Sequence, residues 1–172
     1  TNPSNILEKP LLHELQGSKS VTGSVSGESL RVSIATPPHA QVVWQVFRTT
    51  QFPNGAKPAS ATIYTSLREK YGPEIYKEAD GAGHPRVVRW LFDEQGRPLT
   101  GEANVKLAHG CNSYSPNSGT FNNKVGQLDP CFGVVHLEAK INAGVQPGIA
   151  DFLDIRLMHG PIARIFFPAT DA

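Results

Sequence analysis

The sequence predicts an α+β fold: a mostly antiparallel sheet with one main helix packed on it, an N-terminal arm and one disulfide. Three observations predict it. Strand-like segments outnumber helical ones and do not alternate regularly with helices, as a doubly wound fold requires. One segment, about 59–71, carries apolar residues at helical spacing. The last two long segments read as neighbouring strands joined by a turn.

Taken in chain order, residues 1–27 form the arm. "ILEKPLLHEL" is apolar but broken by Pro10, which leaves room for a short helix over Leu11–Gln16, closed by Gly17. The Gly/Ser-rich "GSKSVTGSVSGES" fits a link or a loose edge strand. A single domain is expected over 28–172. In "SLRVSIA", Leu30, Val32 and Ile34 alternate with polar residues, the period of a half-buried strand. "VVWQVF" is apolar on both faces except at Gln45 and suits a central strand. A Pro-Asn-Gly loop follows. In the helix, Ile63, Leu67 and Tyr71 share one face. Pro58 suits the first turn, with Ser60 an alternative cap. Arg68 and Lys70 favour its C-terminus, and Gly72-Pro73 stops it.

"RVVRWLF" is the next strand and "DEQGRP" a hairpin-type turn, after which "LTGEANVKLAHG" is expected to return as a strand. In "FGVVHLEAKI", Val135, Leu137, Ala139 and Ile141 lie on one face, with His136, Glu138 and Lys140 on the other. "DFLDIRLMHG" alternates likewise, so the pair is expected to be an antiparallel hairpin with one wet face. Asp154 is expected to meet a cross-strand cation. "ARIFF" is read as a short final strand.

At 172 residues, 39% of them hydrophobic, the chain can bury a real core. Only 18% are charged, with a net charge of +1, and 16 Gly and 14 Pro imply many turns. Lys and Arg are scattered, without the basic stripe of a nucleic-acid binder. No stretch approaches about eighteen uninterrupted apolar residues, so no helical transmembrane segment is expected. The chain starts at Thr1 rather than Met, as a mature form or a fragment would.

The stretch "HGCNSYSPNSGTFNNKVGQLDPCFGVVH", 109–136, holds both cysteines. His109, Cys111, Cys131 and His136 are a permitted zinc set. Their spacing is poor, because strand residues five apart, such as Cys131 and His136, point to opposite faces. A Cys–His nucleophile pair has no nucleophile elbow around it and no Asn or Asp as an obvious third member. The reading preferred is a Cys111–Cys131 disulfide. Its loop is rich in Ser, Asn, Gly and Pro and could not order itself by burial. A bridge of this span contributes on the order of 3 kcal/mol in the chain-entropy model. It also places the chain in an oxidising compartment.

His136 and Glu138, two apart on one strand face, could form an acid/base pair, although a solvated strand face is the commoner cause. Asp93-Glu94 reads as turn chemistry. Trp44 and Trp90 read as core. Tyr114, Asn117 and Phe121 sit on the polar loop that the bridge would pin, where aromatic side chains suit recognition. No motif of a known catalytic class is present, and no cofactor is called for.

The stretch from about Val42 to Met158 resembles small exported bacterial proteins of unassigned function. The residues that carry the likeness are the helix ending "LREKYGP", the Trp-bearing strand "VVRWLF" and two cysteines ahead of amphipathic strands. The resemblance covers about two thirds of the chain. It implies export, periplasmic or secreted, and a disulfide, and it implies no activity. The function expected is therefore binding of a protein partner or cell-envelope component through the pinned loop and a sheet edge. One form of it is an inhibitor or immunity-type protein that plugs an enzyme. The rival class is a small hydrolase using His136 and Glu138, or a zinc enzyme using the four residues above.

Overall fold

Alternating apolar residues do produce strands here, and the strands assemble into one antiparallel sheet. The structure is a computed structural model that describes residues 14–20, 27–34, 42–111 and 130–166. Among the described residues the strands are β1 (Glu14–Ser20), β2 (Gly27–Ile34), β3 (Val43–Gln51), β4 (Tyr76–Ala79), β5 (Pro85–Phe92), β6 (Val135–Ala143) and β7 (Ala150–His159). They form a seven-stranded sheet in the order β1-β2-β3-β7-β6-β5-β4. The helices are α1 (Ser60–Tyr71), α2 (Glu102–Gly110) and α3 (Gly160–Phe166), and a 3-10 turn spans Pro130–Gly133. The fold is α+β, and the sheet dominates it. Among the described residues three helices accompany the sheet where one main helix was expected.

α1 forms where the apolar spacing placed it. Ile63 and Leu67 are buried, and both belong to a cluster with Val88, Trp90, Leu137, Ala139 and Ile141. Tyr71 packs against that cluster, with its ring 5.6 Å from that of Trp90. The helix ends at Gly72, whose φ of 82° favours glycine and whose N–H donates to the Arg68 carbonyl at 2.9 Å. The Trp90 indole N–H then donates to the Gly72 carbonyl at 2.9 Å, locking the stop to the sheet. No side chain caps the other end. Ser60 is buried inside the first turn, and its N–H donates to the Gly148 carbonyl at 2.8 Å. The β6–β7 turn therefore does what the expected cap would have done.

Several expectations are overturned. "EANVKLAHG" is helix, not strand. Its residues are mostly fair helix formers, and Gly101, at φ 92°, turns the chain so that the N–H groups of Asn104 and Val105 reach the Gly101 carbonyl at 3.1 Å each. "ARIF", the described part of the "ARIFF" segment, falls in α3 because β7 continues through His159 and Gly160-Pro161 opens a new helix. Glu14–Gln16 belong to β1 rather than to a helix, because the segment pairs with β2 from Glu14↔Ser33 to Ser20↔Gly27. The edge strand β4 was not foreseen. Asp154 takes hydrogen bonds from Thr49 Oγ1 at 2.7 Å and Asn142 Nδ2 at 2.9 Å rather than from a cation. The turn after β5 is as expected: Asp93 Oδ1 accepts from the N–H groups of Gln95 and Arg97.

Candidate functional site

β6 is an interior strand between β5 and β7, and its two faces carry different chemistry. Leu137, Ala139 and Ile141 face α1, as the alternation required. His136, Glu138 and Lys140 occupy the other face, which was expected to be wet. It is not: His136 and Glu138 are each 3% exposed. The expectation failed because a second layer covers this face. Ala108 of α2, Cys111, Cys131 and Val134 pack with Leu91 and Met158, and Leu91 and Met158 flank His136 in the neighbouring strands.

The disulfide holds that layer together. Cys111 and Cys131 are bridged, with Cα atoms 5.5 Å apart, at 1% and 0% exposure. It joins the residue after α2 to the 3-10 turn that leads into β6. Gly160 closes the layer from the β7 side. Its N–H donates to the Val134 carbonyl at 3.0 Å, and a Cβ there would run into the backbone carbonyl of Cys131.

On this face a lateral row of side chains lies in register across six strands, and Arg89 and Glu138 are its buried members. It reads Tyr76, Arg89, Glu138, Arg156, Phe47 and Arg31, from β4 through β5, β6, β7 and β3 to β2. Arg89, 1% exposed, donates through Nε to Glu138 Oε2 at 2.7 Å and through Nη1 to the Ala108 carbonyl at 3.2 Å. That carbonyl belongs to the last turn of α2, where a cation also meets the negative end of the helix dipole. The Arg89 guanidinium lies 4.8 Å from the Tyr76 ring centroid, and that of Arg156 lies 5.4 Å from the Phe47 centroid. Lys140 Nζ stands 3.5 Å from Glu138 Oε1.

These contacts decide what the titratable groups can do. Burial alone would raise the Glu138 carboxyl. The Arg89 hydrogen bond and the charges of Lys140 and Arg89 outweigh it and hold the group below the ordinary carboxylate range. Burial pushes His136 down to about 4, with the nearby cations Arg89, Arg156 and Lys140 adding to the effect against the pull of Glu138. At neutral pH, Glu138 is thus an ionised carboxylate committed to Arg89, and His136 is a neutral imidazole. The His136 Nε2 atom is buried with no hydrogen-bond partner among the described residues. The pair shares a strand face, as the sequence indicated, but both members sit under a packed layer.

The zinc set does not assemble. Both sulfurs are in the bridge and cannot act as thiolate ligands. His109 is exposed and sits edge-on to Tyr76 at 5.6 Å, while His136 is buried in the sheet. The three loop residues singled out for recognition, Tyr114, Asn117 and Phe121, lie outside the described residues. Sequence reasoning missed Arg89 and its row. A signal existed: Arg89 interrupts the apolar run "VVRWLF", and a charge amid such a run calls for a carboxylate on an adjacent strand. Among the described residues no helix is long and apolar enough to cross a membrane. Compared with family models, curated proteins and solved structures, the chain matches none of them.

Proposed function

We propose that this chain is an extracytoplasmic binding module, periplasmic or secreted, that recognises a protein partner or cell-envelope component through the loop closed by Cys111 and Cys131. The observation that carries the reading is the burial of that bridge. Both ends of the loop are anchored in a packed layer over the sheet, so the loop is presented from a rigid base. Such anchoring lowers the entropy lost when the loop engages a partner. The bridge itself suits an oxidising compartment. The edge strands β1 and β4 are a second contact route, since a sheet edge can accept a further strand. β1, with seven residues against four in β4, offers the longer ladder.

The test is partner capture by the immobilised full chain from envelope extract, comparing wild type with Tyr114→Ala, Asn117→Ala and Phe121→Ala. Loss of a stoichiometric partner in the Tyr114 or Phe121 variant, at unchanged thermal unfolding, is the expected result. Equal capture by all the variants would remove the loop from the reading.

A further inference from the structure

The buried histidine has no role in the reading above, yet its surroundings suit a second purpose. His136 lies between Leu91 and Met158 in the sheet, directly under the layer that contains Ala108 and both cysteines. The groups around it are mostly cationic: Arg89 from β5, Lys140 from its own strand and Arg156 from β7, with Glu138 the single carboxylate acting on it among the described residues. β3 places the neutral Gln45 in the same register row, across Met158. β4 contributes Tyr76 and α2 contributes His109, ring to ring. Glu138 is already engaged by Arg89.

We propose that His136 is a proton-operated latch: taking up a proton in mild acid loosens the α2–disulfide layer from the sheet while the α1 face stays packed. The geometry gives the reason. A proton on this ring would put a charge on a buried nitrogen that has no acceptor among the described residues, beside two guanidinium groups. Opening the layer lets water solvate that charge. The buried members of the α1 cluster are all apolar side chains. The sign follows from linkage. The closed form holds His136 near 4 and the open form returns it to its ordinary value of about 6.5. Between those limits the open form binds the extra proton, so opening grows roughly tenfold for each pH unit lost. The inference does not depend on which partner the loop recognises.

The experiment is nuclear magnetic resonance on the labelled full chain between pH 7 and 4. It follows the His136 ring and the amide exchange of 102–110 and 60–71, corrected for intrinsic rates. The expected result is a fall in α2 protection of roughly tenfold per pH unit below about 6, with α1 protection unchanged and His136 titrating well below the ordinary histidine value of 6.5. The variant His136→Leu, which cannot titrate, should keep α2 protection flat over the same range. Equal loss in α1 and α2, or His136 titrating at the ordinary histidine value of 6.5, would overturn the latch, and these two readouts need no variant. The same acid loss in a folded His136→Leu protein would overturn it as well.

Discussion

On one face of the sheet, Ile63 and Leu67 settle onto Val88, Trp90, Leu137, Ala139 and Ile141. On the other, α2 and the disulfide settle onto Leu91 and Met158 but also over Arg89, Glu138 and His136. Both packed patches exclude water, by different means. The α1 face is held by burial, which is non-directional and tolerant of small shifts. The opposite face is held by burial plus an ion pair, a helix-terminal hydrogen bond and a covalent link, each of which demands a set geometry. The first face should therefore lose stability in proportion to the volume removed, and the second according to which partner is left behind.

The sharpest way to break this comparison is Glu138→Leu, which strands Arg89 as a buried charge. We expect a loss of about 3–5 kcal/mol in urea unfolding, and partial recovery when Arg89→Met is added. A double variant worse than the single one would mean that the Arg89 bond to Ala108 matters more than the ion pair. On the apolar face, Leu67→Ala should cost about 2–5 kcal/mol through the cavity it leaves. That cost should be the same at pH 7 and pH 5, because the buried members of the cluster are all apolar; a pH-dependent cost would show that the two faces are coupled.

Replacing both cysteines, Cys111→Ser with Cys131→Ser, should lower stability by about 3 kcal/mol in the chain-entropy model. Amide exchange should show the loss concentrated in α2, with α1 spared. A uniform loss would mean that the bridge acts on the unfolded chain alone. The smallest effect is expected at the surface. Lys106→Ala removes an exposed pair with Glu102 at 2.9 Å and should shift stability by no more than about 0.5 kcal/mol. A larger shift would give α2 an intrinsic contribution beyond its packing.

The readable parts of the fold were those where one periodicity decided the outcome. α1 was legible because Ile63, Leu67 and Tyr71 repeat at helical spacing and Gly72-Pro73 ends the run. β6 and β7 were legible from strict alternation. "LTGEANVKLAHG" was not, because Val105 and Leu107 alternate as strand residues would, while helix propensity favours the other outcome. β4 was missed because four residues are too few to display a period. Of the site, the Cys111–Cys131 bridge was legible from the composition of the loop it closes. The burial of His136 and Glu138 was not, since a polar strand face looks the same in sequence whether water or another layer covers it.

The sequence by itself determined the α+β class, the main helix, the amphipathic strands and the pairing of the two cysteines. Each depends on neighbours within one segment, or on there being only two cysteines to join. The tertiary structure alone decided which strands became neighbours. β3 pairs with β7 and β5 with β6 across long stretches of chain, and those pairings bring Arg89 to Glu138, 49 residues apart. Strand alternation assigns a residue to a face, but it does not say what will lie over that face. Only the docking of α2 and the bridge onto β5, β6 and β7 turned a polar strand face into a buried site for His136 and the Arg89–Glu138 pair.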